Sequence, residues 1–362
     1  MMLPSGRASF RRATLFTIAS LFILSLLWFK RWRSNDEKIT QSRTQSRNLG
    51  PMPVILRQTL LADLIRDVYS PHVLPVNEPF FRDYDGNQYS ISENPTWQDS
   101  IGHRLCIIDF DTKPLDYPNE AFSWTRLDYS AMGGMSPGIF NHYLYAMIHG
   151  YTYHYIRTSP LEGRAESWGR VAGMASSLFS CDVIVALDPD YVFQYLDVPY
   201  EWLMNRWNIT KDTAVAMPLG SPKQGTSKKI YNKDSQGRLA GNTDFVTVRR
   251  IEQVFGLLEA WQKCPDEKDY PGCKRFANQE PNEKGAFAEY IRYGYADTIV
   301  EFPCDESAIK GSSADCQGVF VRHHGANGML LKEGVTNSIM QSLFDVIHTD
   351  MLKRQFAPIG SE

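Results

Sequence analysis

The sequence predicts an α/β domain with a mainly parallel central sheet, carried behind a single N-terminal membrane helix. Three observations predict it. Between Arg104 and Leu187, apolar strand-like runs alternate with segments of helical period, the pattern of strands joined by crossover helices. The last of those runs, Val183 to Leu187, ends in Asp188-Pro189-Asp190, and ligands of such sheets bind at the carboxyl ends of strands. Near the N-terminus, Ala13 to Phe29 carries no charge.

That uncharged run, at about 1.5 Å per residue, spans roughly 25 Å, short but sufficient for a transmembrane helix. It is followed by Trp28-Phe29-Lys30-Arg31-Trp32-Arg33, an interfacial anchor rather than a small-residue cleavage site. A cleaved signal peptide is the alternative. Basic residues flank both ends, so charge does not set the orientation. The reading is a cytoplasmic tail at 1–12, a signal anchor at 13–29, a stem with a lead-in helix at 30–75 and a luminal domain at 76–362. A short anchor suits a thin early secretory membrane, so the expected location is the Golgi, as a single-pass type II protein.

The cysteines argue for a luminal body. Cys264 and Cys273 bracket one polar loop, and Cys304 and Cys316 another. No C-x-x-C pair exists, so these read as disulfides and not as a zinc site. Cys106 and Cys181 are buried thiols or a third bridge. Asn208-Ile209-Thr210 is an N-glycosylation sequon. The 362 residues are 43% hydrophobic and 12% aromatic with a net charge of −3. This is a folded globular composition with no electrostatic case for nucleic acid.

Each element follows from local pattern. Val54 to Tyr69 has helical spacing; residues 70–100, rich in Pro, Asn and Asp, read as irregular loop. Arg104 to Phe110 is a buried strand. Ser136 to Gly150 is a helix ended by glycine. Tyr151 to Arg157 is a strand, Glu166 to Phe179 a helix and Val183 to Leu187 a strand. A short helix at Tyr200 to Trp207, a strand at Ala214 to Leu219, a long Lys/Gly/Ser-rich loop at 220–241, a strand at Asp244 to Val248 and an amphipathic helix at Ile251 to Lys263 complete the series.

In an extended segment Asp188 and Asp190 leave the same face. Hard carboxylate oxygens suit manganese or magnesium, and a metal there would neutralise a departing diphosphate. The competing reading is a solvated carboxylate pair after a strand. Asp109 and Asp111 form a second Asp-x-Asp, read as a polar strand end with nucleotide binding as the alternative. Trp168 reads as core, the Tyr151, Tyr153 and Tyr155 stripe as one side of a strand, and Asn141 and His149 as helix and cap residues.

The order of segments resembles a known family. Asn141-His142-Tyr143-Leu144-Tyr145-Ala146-Met147-Ile148-His149-Gly150-Tyr151, Ser167-Trp168-Gly169-Arg170-Val171, Asp188-Pro189-Asp190, Gly241-Asn242-Thr243-Asp244-Phe245-Val246-Thr247-Val248-Arg249, Glu283-Lys284-Gly285-Ala286-Phe287 and Phe320-Val321-Arg322-His323 together resemble the retaining glycosyltransferases that include fungal α-1,2-galactosyltransferases, Golgi α-1,6-mannosyltransferases and xyloglucan α-1,6-xylosyltransferases. The chain departs from that pattern at Arg170 (Lys in the family), Asp244 (commonly Gly) and Lys284 (Gln).

The resemblance implies a GT-A fold, manganese with magnesium as the alternative, a UDP- or GDP-linked sugar donor and a glycan acceptor. By matched position Asp188 lies near the donor ribose and metal. Asp190 and His323 are metal ligands, with His324 the runner-up. Asn242 and Asp244 face the donor sugar or acceptor, and Glu283 sits near the reacting sugar carbon. Lys332, from its position after His323, steadies the diphosphate. A catalytically diverged scaffold subunit is the alternative function. A membrane-anchored metal hydrolase is a third, and it lacks a water-activating base. An oligomer is allowed by the sequence.

Overall fold

The computed structural model describes residues 54–220, 233–309, 316–325 and 327–355. The 13–29 run, the tail and the stem up to residue 53 lie outside them, as do residues 221–232 of the Lys/Gly/Ser-rich loop. Among the described residues no helix is long and apolar enough to cross a membrane. The unit that begins at Thr59 carries everything described below.

Six strands form the central sheet: β3 (Leu105–Asp111), β4 (Thr152–Arg157), β5 (Val183–Leu187), β7 (Val215–Pro218), β8 (Phe245–Arg249) and β9 (Ile299–Phe302). Their order across the sheet is β4-β3-β5-β8-β7-β9. All run parallel except β8, which is antiparallel to both neighbours. The expected mainly parallel sheet is therefore present. Strands β3 and β5 are apolar nearly throughout and buried on both faces, as central parallel strands must be.

Helices cover both faces. On one side, α2 (Ser136–His149) and α4 (Tyr200–Arg206) pack Tyr145, Ile148 and Trp202 against Ile107, Val185 and Leu187. On the other, α3 (Trp168–Ser177) and α5 (Glu252–Lys263) pack Trp168, Met174, Leu257 and Trp261 against Ile108, Ile184 and Val246. Alternate residues of β3 and β5 thus serve opposite cores. The α2 helix stops at Gly150, whose φ of 69° is left-handed and whose N–H reaches back to Ala146 and Met147 carbonyls.

Three differences from the sequence reading stand out. Residues 70–100 include a small hairpin, β1 (Phe80–Arg82) with β2 (Gln88–Ser90). A second sheet forms from β6 (Tyr191–Phe193), β10 (Ser307–Ile309) and β11 (Val321–His323), in the order β10-β11-β6. A 28-residue helix, α7 (Gly328–Gln355), is the last element among the described residues. No single apolar stripe marks that helix: Leu331 and Val335 are buried, while Met340, Phe344 and Met351 are exposed. The usual one-sided period is therefore absent.

All six cysteines pair, as Cys106–Cys181, Cys264–Cys273 and Cys304–Cys316. Among the described residues no free cysteine remains. Asn208 of the sequon is exposed.

Candidate active site

The Asp188-Pro189-Asp190 turn leaves β5 and enters β6, so the two carboxylates sit where the buried sheet ends. The register of β8 against β5 pairs Phe245 with Leu187, which sets Asp244 beside Asp188. The Asp188 N–H donates to the Asp244 carbonyl at 3.0 Å. The second sheet supplies the remaining partner. Antiparallel pairing of β11 with β6 places His323 opposite Tyr191, and the His323 ring stacks on the Tyr191 ring at 4.5 Å.

His323 Nε2 lies 2.9 Å from Asp190 Oδ2. The other halves of both groups, Asp190 Oδ1 and His323 Nδ1, are buried without a hydrogen-bond partner. A buried polar atom left unpaired costs about 1–3 kcal/mol, so it marks a site built for something else. Oxygen and imidazole donors together fit a divalent cation. Strand alternation turns His324 the other way: its ring packs where a side chain on Gly334 of α7 would sit. The His323 side chain meets the Asp190 carboxylate, and the His324 backbone N–H donates to the Asp190 carbonyl at 2.9 Å.

Asp188 does not join that pair. Its carboxylate is held by the Arg170 guanidinium from α3, which also donates to the Thr243 carbonyl at 2.7 Å. Among the described residues, the cluster of three metal-type ligand atoms within 4.8 Å of one another is Cys106, His154 and Cys181, whose cysteines form a disulfide. The expected trio of Asp188, Asp190 and His323 is thus brought together as two convergent groups and one carboxylate engaged by arginine.

Behind the turn, Lys284 and Glu283 project from α6 (Asn282–Ala286). Lys284 Nζ donates to Asn242 Oδ1 at 3.0 Å and lies 3.7 Å from Asp244 Oδ2. Asn242 in turn donates to the Tyr191 hydroxyl at 2.7 Å. Burial works against a charge on Asp244, but Lys284, Arg170 and His323 outweigh it and hold the carboxyl below its ordinary value. Glu283 goes the other way. Burial pushes its carboxyl up, and it accepts from the Thr243 hydroxyl at 3.2 Å. The surroundings thus shift the two carboxyls in opposite directions.

Lys332 holds the loop before α2. Its Nζ donates to the Ser130 carbonyl at 2.7 Å and sits 4.8 Å over the Tyr129 ring. The ammonium that follows His323 in sequence therefore pins a loop to α7.

A cleft of about 160 Å³ opens beside Arg170, lined by Phe110, Asp111, Thr112, Thr158, Glu166 and Ser167. It lies at the carboxyl ends of β3 and β4, next to the arginine that grips Asp188. The sequence reading took Asp111 as a polar strand end; its side chain accepts from the backbone N–H groups of Thr112 and Lys113 at the cleft wall.

Several supporting residues were not anticipated. His142, wholly buried, lies 2.8 Å from Asp109 through Nδ1 and 2.8 Å from the Tyr191 carbonyl through Nε2. A carbonyl only accepts, so Nε2 carries a proton. Tyr153 donates to the other Asp109 oxygen at 2.6 Å. Asn141 holds Phe193 by both its N–H and its carbonyl. Helix α2 thus grips β6 on both sides of Val192. The approach is tight, because a side chain on Gly138 would collide with the Pro189 carbonyl. His149 donates to the Leu196 carbonyl as a structural group, and Trp168 is core, both as the sequence suggested.

No protein-family model matches the sequence, and no curated protein matches it. Among solved structures the chain is similar to a glycosyltransferase involved in the glycosylation of the major capsid of PBCV-1. The two share 14% identity with a TM-score of 0.44, over 64% of this chain and 98% of that one.

Proposed function

We propose that the chain is a metal-dependent retaining glycosyltransferase of GT-A type, moving a hexose or pentose from a nucleotide diphosphate sugar to a glycan. One observation carries the reading. Asp190 and His323 converge with unpaired buried atoms at the end of a parallel sheet, beside a cleft and two paired cations.

Asp190 and His323 would hold manganese, with Asp188 alongside; magnesium is the alternative. When bound, the ion supplies positive charge to the diphosphate leaving group. Arg170 adds a fixed guanidinium at the cleft wall, and its rigid fork keeps Asp188 oriented toward the donor ribose. The cleft would seat the nucleoside. Asn242 and Lys284 would hydrogen-bond the donor sugar.

Glycosyl transfer passes through an oxocarbenium-like transition state. An ionised carboxylate stabilises that charge. Asp244, kept charged by Lys284 and Arg170 and about one-third exposed, suits that task. Glu283, buried and accepting from the Thr243 hydroxyl, would support the donor site from beneath. Retention requires attack from the face the nucleotide leaves, directly or through a covalent intermediate.

Three disulfides support an oxidising compartment, and with the 13–29 run support a type II Golgi protein. The test is nucleotide release by the full chain from UDP- and GDP-linked galactose, mannose, xylose and glucose, with manganese and with chelator. Metal-dependent release, lost in Asp190→Ala, is expected. A folded protein that releases no nucleotide from any donor supports the diverged scaffold instead.

A further inference from the structure

Loop 112–135 joins the end of β3 to the start of α2, and its two ends lie beside residues of the site. At one end Asp111 and Thr112 line the cleft beside Arg170. At the other, Gly138 lies against the Pro189 carbonyl, and Gly134 is close to Gly328, a few residues after His323. Lys332 on α7 ties down Ser130, and Tyr129 meets Thr336. Both ends of the loop are therefore anchored on residues that flank the Asp190–His323 pair.

Its middle is held in shape. The Phe122 N–H donates to the Leu115 carbonyl at 2.9 Å, and its ring packs on Tyr155 at 4.6 Å. Asp128 N–H donates to Asn119 Oδ1 at 2.9 Å, and Ala121 N–H to Ser136 Oγ at 3.0 Å. On this ordered loop Trp124 is 91% exposed, where the other described tryptophans are buried or half-buried. Ser123 and Thr125 flank it with their hydroxyls 2.9 Å apart, and Arg126 follows. An aromatic face costs free energy when left in water and gains it when covered. A pyranose offers one face of C–H groups and an edge of hydroxyls, which an indole flanked by hydroxyls and a guanidinium complements.

We propose that Trp124 is the stacking platform for a pyranose of the acceptor glycan. The inference rests on the glycosyl-transfer reading and assigns its second substrate a seat on the donor site's rim. Preordering of the loop lowers the entropy lost on binding. Trp124→Ala removes little packing from the fold, and Trp124→Phe retains a ring.

The test uses the full chain and an array of oligosaccharides ending in mannose, galactose, glucose or xylose, with UDP and GDP binding in manganese measured in parallel. The expected result is wild-type binding to at least one glycan class, weakened at least tenfold in Trp124→Ala and less than threefold in Trp124→Phe, with nucleotide binding equal in all three. Equal glycan binding in wild type and Trp124→Ala overturns the proposal, as does a wild type that binds nucleotide but no glycan. A wild type that binds neither nucleotide overturns the underlying reading and the platform with it.

Discussion

Asp190 and His323 face each other across the β6–β11 pairing at 2.9 Å, and each keeps a buried atom that bonds to nothing. A cation that engaged those two atoms would offset the cost of leaving them unpaired. Asp190→Ala should therefore lower activity by at least a hundredfold while changing stability by less than about 1–2 kcal/mol. Nucleotide release and a urea midpoint on the same preparation check both halves. A large loss of stability would mean that the pair holds the fold.

Gly138 is the point where α2 touches the turn. A methyl group there meets the Pro189 carbonyl, so Gly138→Ala should push the Asp188-Pro189-Asp190 turn aside. Overpacking of this kind costs about 1–3 kcal/mol. Activity should fall more than stability does, because the displaced backbone carries both carboxylates. Paired rate and midpoint measurements separate the two.

Arg170 serves Asp188 and Thr243 together. Arg170→Lys keeps a cation but loses the fork, and is expected to retain activity within about tenfold. Arg170→Ala leaves Asp188 unpaired and should cost about 1–2 kcal/mol, moderated by the partial exposure of that carboxylate. Donor KM should rise in both, more in the alanine variant.

His149 is held neutral, since burial pushes its pKa down to about 3 from 6.5, against the opposing bond to Leu196. Between those values the unfolded chain binds a proton that the folded chain refuses, so stability falls as pH falls. The contribution is about 1.4 kcal/mol per pH unit, roughly 2 kcal/mol from pH 6.5 to 5. His149→Gln, which still donates to the Leu196 carbonyl, should flatten that slope. Denaturant midpoints at pH 5, 6 and 7 report it.

Cys106–Cys181 closes a loop with a sequence separation of 75, against 9 for Cys264–Cys273. Chain entropy then predicts losses of about 4.5 and under about 3 kcal/mol on removing each. Chemical denaturation of the two double alanine variants ranks them. Equal losses would contradict the loop-length argument.

Much of the core was legible because its strands and helices are short and strongly patterned. Val183 to Leu187 reads as a buried strand from five apolar residues, and the carboxylates after it read as a site from their place at its end. Asn242, Asp244, Glu283 and His323 could be named by resemblance; in the fold His323 meets Asp190 and Asp244 meets Asp188, while Asn242 reaches Tyr191 and Glu283 reaches Thr243. What was hidden depends on long-range pairing. Nothing local to Val321-Arg322-His323 says that it lies beside Tyr191-Val192-Phe193, and nothing local to Asp109 says that His142 lies on it. The partners of Lys332 were hidden in the same way: nothing local to it says that its ammonium bonds the Ser130 carbonyl. The α7 helix itself escaped notice because its apolar residues point both ways.

The central claim is a metal-assembled nucleotide site on Asp190 and His323. Calorimetric titration of UDP and GDP into the full chain, with and without manganese, tests it most directly. The account predicts manganese-dependent binding of one nucleotide, absent in Asp190→Ala. Binding of neither nucleotide to a folded wild-type protein, or equal binding with and without manganese, would contradict it.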